Sequence, residues 1–187
     1  MPAWPTAAPP PPDDQDAQPP GDPEAAARTI CLRLLDHRAR SRSELAQALR
    51  KRGVPEQAAT RVLDRFAEVG LINDAALAEA VAGAQHRERG LARRAVAAKL
   101  RQRGFDDEIV GSAVSGIEPA QERERALALV ERRQRALAGF PVEVQTRRLV
   151  GLLARKGYPS GVAYAVVREV LAGGGHDIED VGHGRLG

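Results

Sequence analysis

Leu49-Arg50-Lys51-Arg52-Gly53-Val54-Pro55 returns as Leu100-Arg101-Gln102-Arg103-Gly104-Phe105-Asp106 and again as Leu153-Ala154-Arg155-Lys156-Gly157-Tyr158-Pro159, at spacings of 51 and 53 residues. Each copy has an apolar residue four positions before its leucine (Leu45, Val96, Leu149), the spacing that stacks two side chains on one helix face. A glycine and then an apolar residue follow, the pattern of a helix stopped by a left-handed turn. Counting four, five, eight and nine positions from that apolar residue reaches Ala58, Ala59, Val62 and Leu63 in the first copy. The same count reaches Ile109, Val110, Ala113 and Val114 in the second, and Val162, Ala163, Val166 and Val167 in the third. One buried helix face is written three times. Each unit then reads as helix, helix, glycine turn, helix. A unit of about 50 residues with few aromatics buries too little to stand alone, so neighbours are expected to lean on one another in an elongated, slightly curved array.

Outward from these copies, punctuation divides the body into helices at roughly 24–38, 43–52, 55–69, 74–88, 91–103, 107–115, 119–138, 142–156 and 160–171. Asp22-Pro23 supplies an N-cap and a first helical residue, and Ser41 with Glu44 forms a capping box. Gly53, Gly70, Gly104, Gly116, Gly139 and Gly157 are expected as left-handed helix stops. Ala, Leu, Arg and Glu dominate while aromatic and β-branched runs are scarce, so the fold is all-α with three tandem three-helix repeats, at 24–70, 71–117 and 118–172. Nine of the 13 prolines lie in the first 23 residues, which should form a disordered, acidic, partly polyproline-like tail, and 173–187 reads as a flexible glycine-rich one.

The net charge of +3 is unevenly spread. Residues 1–24 carry five acids and no Lys or Arg, and setting both tails aside leaves 27 basic residues against 17 acidic ones. Such a body attracts polyanions or an acidic partner surface by its summed potential. Only three of the 28 basic residues are Lys, a bias that GC-rich codons also produce. No apolar run is long enough to span a bilayer and the N-terminus does not read as a signal peptide, so a cytoplasmic protein is expected. Cys31, the one cysteine, lies in an apolar run and reads as core.

Catalytic patterns are missing. No phosphate-cradling glycine loop opens a helix, and the lone serines, Ser112, Ser115 and Ser160, read as caps. His37 and His86 adjoin arginines at helix ends and read as solvated. His176 and His183 with Asp177, Glu179 and Asp180 make only a sketch of a metal site in a glycine-rich segment. The expectation is therefore a non-enzyme without cofactor or metal. The functional candidates are the basic clusters: Arg50, Lys51 and Arg52; Arg93, Arg94, Lys99, Arg101 and Arg103; Arg132, Arg133 and Arg135; Arg147, Arg148, Arg155 and Lys156. In a stacked array they could line up as a positive stripe that follows a phosphate backbone or an acidic groove. Arg52, Arg103 and Lys156 are expected to lay their stems on apolar surface. With 3% aromatic residues, stacking on single-stranded bases is disfavoured.

From 25 to 172 the chain resembles the RecX family. The resemblance is carried by Arg38-Ala39-Arg40-Ser41-Arg42-Ser43-Glu44-Leu45, Leu49-Arg50-Lys51-Arg52-Gly53-Val54, Val69-Gly70-Leu71-Ile72-Asn73-Asp74, Leu77-Ala78-Glu79-Ala80, and Arg89-Gly90-Leu91-Ala92-Arg93-Arg94 leading to Leu100-Arg101-Gln102-Arg103-Gly104-Phe105. It departs at Leu77 and Val81, where many relatives are expected to carry aromatics. The resemblance implies a monomeric cytoplasmic protein that binds the RecA recombinase filament, with DNA backbone as a further contact, and restrains its ATPase, recombinase and coprotease activities in DNA repair and the SOS response. Arg50, Lys51, Arg93, Arg94, Arg101, Arg103, Arg147, Arg148 and Arg155 are the candidate contacts. The alternative is a helix-turn-helix-like DNA-binding regulator drawn on Ser43 to Val69, whose second helix offers only Gln57, Thr60, Arg61 and Asp64 for reading bases.

Overall fold

Three helix starts in this chain are fixed by side chains that accept the first free amides. Asp22 accepts from the Glu24 amide at 3.0 Å, ahead of Pro23, and opens α1, Pro23–His37. Ser41 and Glu44 form the expected capping box, each side chain accepting the other's amide at 3.1 Å, and open α2, Arg42–Lys51. Asn73 accepts from Ala76 at 2.9 Å at the start of α4, Asp74–Arg87, which follows α3, Glu56–Glu68. The computed structural model describes residues 21–173. It continues with α5, Arg93–Gln102; α6, Asp107–Ser115; α7, Pro119–Gln134, followed by a 3-10 turn at Arg135–Leu137; α8, Val142–Arg155; and α9, Ser160–Gly173. Among the described residues there is no strand. The expectations placed on 1–20 and 174–187, including the His176 to His183 metal sketch, lie outside them.

Gly53, Gly70, Gly104 and Gly157 take the left-handed turn expected of them, at φ between +73 and +87. Gly116 and Gly139 do not. Gly116 caps α6 at φ −68, and both stretches instead run into Glu118-Pro119 and Phe140-Pro141, where the proline ring excludes helical backbone from the residue before it, so neither needs a left-handed glycine. Gly90, not among the glycines expected as helix stops, is left-handed at φ +63 and turns the chain over the end of α4.

Three separate cores follow the three repeats. Leu45 and Leu49, Val96 and Leu100, and Leu149 and Leu153 are all fully buried, one pair per repeat, under the aligned faces of α3, α6 and α9. Each such leucine contributes roughly 1.5 to 3 kcal/mol by leaving water. Cys31 packs in the first core, and burial pushes its thiol up to about 11.

The repeats join in line by one device used twice, in which the N-terminus of a second helix docks on the glycine turn of the next repeat. At the first junction Ser41 Oγ donates to the Arg103 carbonyl at 3.2 Å, and the Arg42 amide donates to the Asp74 carboxylate at 2.9 Å. At the second, the Ala92 amide donates to the Lys156 carbonyl at 3.0 Å and the Arg93 amide to Glu122 at 2.7 Å. Ala92 is itself buried in the third core, so α5 is plugged into the next repeat. Tyr158, pushed up to about 12 by burial, donates its hydroxyl to the Gly90 carbonyl at 3.2 Å across the same junction. No hydrogen bond or ion pair among the described residues links the first repeat to the third.

Candidate interaction surface

The cations predicted as contacts fall into different environments. Arg103 is bound across the first junction to Glu44, and Arg101 pairs with Asp107 at 2.6 Å. Arg93 is half-buried at the start of α5, whereas Arg94 is exposed. Arg50 and Lys51 are exposed at the end of α2 without an ion pair among the described residues. The repeat position three past the leucine is not a simple apolar cover. Arg52 folds back to the Ala48 carbonyl, Arg103 takes Glu44, and Lys156 reaches the Arg89 carbonyl, so two of the three tie neighbouring repeats together.

Arg147, Arg148 and Arg155 are brought together with Arg132, Arg133 and Lys156 in one groove of about 640 Å³ between α7 and α8. The periodicity of the two helices makes it. Leu129, Arg132 and Arg133 share one face of α7, continued by Ala136 in the 3-10 turn, and Arg148, Leu152 and Arg155 share one face of α8, continued by Lys156 at its C-cap. Leu129, Ala136 and Leu152 line it together with six cations. No carboxylate lines the groove, and among the described residues none of the six has an ion-pair partner. Arg148 lies over the half-exposed Phe140 ring, 4.4 Å from its centre, which steadies its guanidinium at the groove's end. Like charges gathered on two rigid helices focus a positive potential that only an anion relieves. Sequence reading had placed Arg132 and Arg133 in a cluster of their own, because nothing in the spacing tells that α7 lies beside α8.

Two further assignments change. His86 is buried rather than solvated: the Gly90 turn folds over the end of α4, and His86 Nδ1 pairs with the Leu91 carbonyl at 2.9 Å. On α3, Arg61 is held by Glu24 at 2.7 Å and Asp64 by Arg42 at 2.6 Å, so of the four side chains expected to read bases only Gln57 and Thr60 are outside an ion pair.

No helix among the described residues is long and apolar enough to cross a membrane. Family models of the RecX first, second and third three-helix domains match residues 27–66, 73–114 and 121–167. The chain is 52% identical to the Regulatory protein RecX of Thermobifida fusca over 160 residues, 86% of each chain. It is 50% identical to that of Streptomyces coelicolor over 168 residues, 90% of this chain and 89% of the relative. The fold also matches the crystal structure of RecX from Lactobacillus salivarius, with a TM-score of 0.73 at 19% identity, over 80% of this chain and 97% of that one. Its three matched domains and its identity to these relatives place the chain in the RecX family of regulatory proteins.

Proposed function

We propose that this chain is a non-catalytic modulator of the RecA recombinase, which binds the RecA filament on DNA as a monomer in the cytoplasm and restrains ATP hydrolysis, strand exchange and coprotease activity. The observation that carries the reading is the unpaired six-cation groove on the third repeat of a RecX-family array. A groove of that charge fits an acidic filament surface or the phosphate backbone within it. The units 24–70, 71–117 and 118–172 then act as successive contact modules, with Arg50, Lys51 and Arg94 of the first two adding exposed charge. A linear array that touches several filament subunits gains avidity from each module. Its binding energy favours whichever filament state fits the array, so no reacting group is needed.

The deciding experiment is co-sedimentation at physiological salt. The protein should pellet with RecA filaments on single-stranded DNA and stay in the supernatant with the same DNA lacking RecA. Equal recovery in both pellets would make it a DNA binder, and recovery in neither would remove RecA as its partner.

A further inference from the structure

A second cleft, of about 710 Å³, lies between the second and third repeats, walled by α4, the end of α6 and α7. Its volume is ordinary for a ligand site. Glu79, Gly83, His86 and Arg87 of α4 share the face that lines it, and Gln121, Glu124, Arg125 and Ala128 of α7 stand opposite. The floor is apolar where Ala113 and Ile117 are buried, and cationic or polar elsewhere. His86 is 7% exposed and spends Nδ1 on the Leu91 carbonyl, so its Nε2 is the ring nitrogen left for an occupant. Arg125 is half-buried, with Nε enclosed and without a hydrogen-bond partner. Arg87 lies back against Gly83 so closely that a Cβ there would stand 2.7 Å from its nearest guanidinium nitrogen. Glycine inside a helix costs about 1 kcal/mol relative to alanine. Here the bare backbone seats the guanidinium against the cleft wall. Neither Arg87 nor Arg125 has an ion-pair partner among the described residues.

We infer that this cleft is a binding site for an isolated carboxylate side chain on a segment of a protein partner, held by Arg87 and Arg125 with His86 beside it. Planar guanidinium groups match a carboxylate in fork geometry. The exposed Glu79 and Glu124 select against nucleic acid, because a phosphate chain would run past two carboxylates. An isolated Asp or Glu with a Lys one helical turn away meets complementary charge from the two arginines and the two glutamates. The cleft takes its walls from two repeats beside the Ala92–Lys156 junction, so its occupant contacts both repeats.

The test uses the full chain labelled with nitrogen-15, following the His86 ring signal, which is assigned by its loss in His86→Gln. The probe is a blocked peptide with Glu and Lys four residues apart; the controls are the same peptide with Gln in place of Glu, and inorganic phosphate. A saturable shift with the Glu peptide only is expected, weakened roughly fivefold or more in Arg125→Leu and in the exposed-site variant Arg87→Gln, which keeps the test valid if the first fails to fold. An equal response to the Gln peptide, an unsaturable drift, or full affinity in Arg87→Gln overturns the site. Tighter binding of phosphate than of the Glu peptide overturns the carboxylate assignment.

Discussion

Arg103 grips both carboxylate oxygens of Glu44, Nε on Oε1 at 3.3 Å and Nη2 on Oε2 at 3.1 Å, although 59 residues separate the two. Arg38 takes the same carboxylate from the other side at 3.2 and 3.3 Å, and the Ser41 amide donates to it. Burial alone would raise the Glu44 pKa, but the bonds from Arg103, Arg38 and Ser41 outweigh it and hold the group at about 2. One carboxylate thus caps α2 and clamps the first two repeats.

The pH dependence follows from that depressed value. Glu44 binds its proton near 4.5 when unfolded and near 2 when folded, so its stabilisation is present above pH 4.5 and is lost as pH falls toward 2. Asp74 acts in the opposite sense, since burial raises its pKa and its contribution weakens as pH rises. Glu44→Gln should therefore lower stability by about 1 to 3 kcal/mol at pH 7 and flatten the decline between pH 4.5 and 2. Urea unfolding of parent and variant across that range checks both; parallel curves would mean that the clamp does not carry the pH response.

Equivalent glycines should differ in cost. Gly53, at φ +73, has open space where a Cβ would stand. A Cβ on Gly157, at φ +87, would stand 2.6 Å from the Ala95 Cβ and 3.1 Å from its backbone nitrogen, because α5 docks there. Gly53→Ala should cost roughly 1 kcal/mol for the left-handed backbone alone. Gly157→Ala should cost at least about 1 kcal/mol more, since backbone must move. Similar denaturation midpoints for the two variants would refute the docking geometry.

Removing a core leucine tests the repeat alignment directly. Leu49, Leu100 and Leu153 are each fully buried at the same repeat position. Each Leu→Ala change should cost roughly 2 to 5 kcal/mol. A substitution without effect on urea unfolding would show that its repeat lacks the shared core.

The repeats were legible in the sequence because helical period, glycine stop and apolar face are local signals, all within about 20 residues of each other. The junctions were not. Arg103 looks like any surface arginine until Glu44 is placed beside it, and Lys156 meets the Arg89 carbonyl from 67 residues away. His86 read as solvated because nothing local tells that the Gly90 turn closes over it. Arg147, Arg148 and Arg155 were visible as a cluster, but the groove depends on the packing of α7 beside α8, which periodicity does not specify.

The groove and the middle-repeat arginines should separate when both are neutralised. Changing Arg132, Arg133, Arg147, Arg148 and Arg155 to Gln removes five cations that have no ion-pair partner among the described residues, and spares Lys156, which holds the second junction. The fold should survive with stability within about 0.5 kcal/mol of the parent, the usual range for surface changes. Exposed charge contacts contribute roughly 0.2 to 1 kcal/mol each, so inhibition of RecA ATP hydrolysis on single-stranded DNA should weaken roughly tenfold or more at low salt. The deficit should shrink as salt rises, because screened contacts have less to lose. Arg101→Gln with Arg103→Gln should behave differently. Loss of Arg103 strips Glu44 of a partner and loosens the first junction, so stability falls first and any loss of inhibition persists at all salt concentrations. Titrating both variants at low and moderate salt, with circular dichroism and urea unfolding alongside, reads the two mechanisms apart. Unchanged inhibition by a folded groove variant would exclude the third repeat as the charged contact and leave Arg50, Lys51 and Arg94 as the exposed cations to neutralise next.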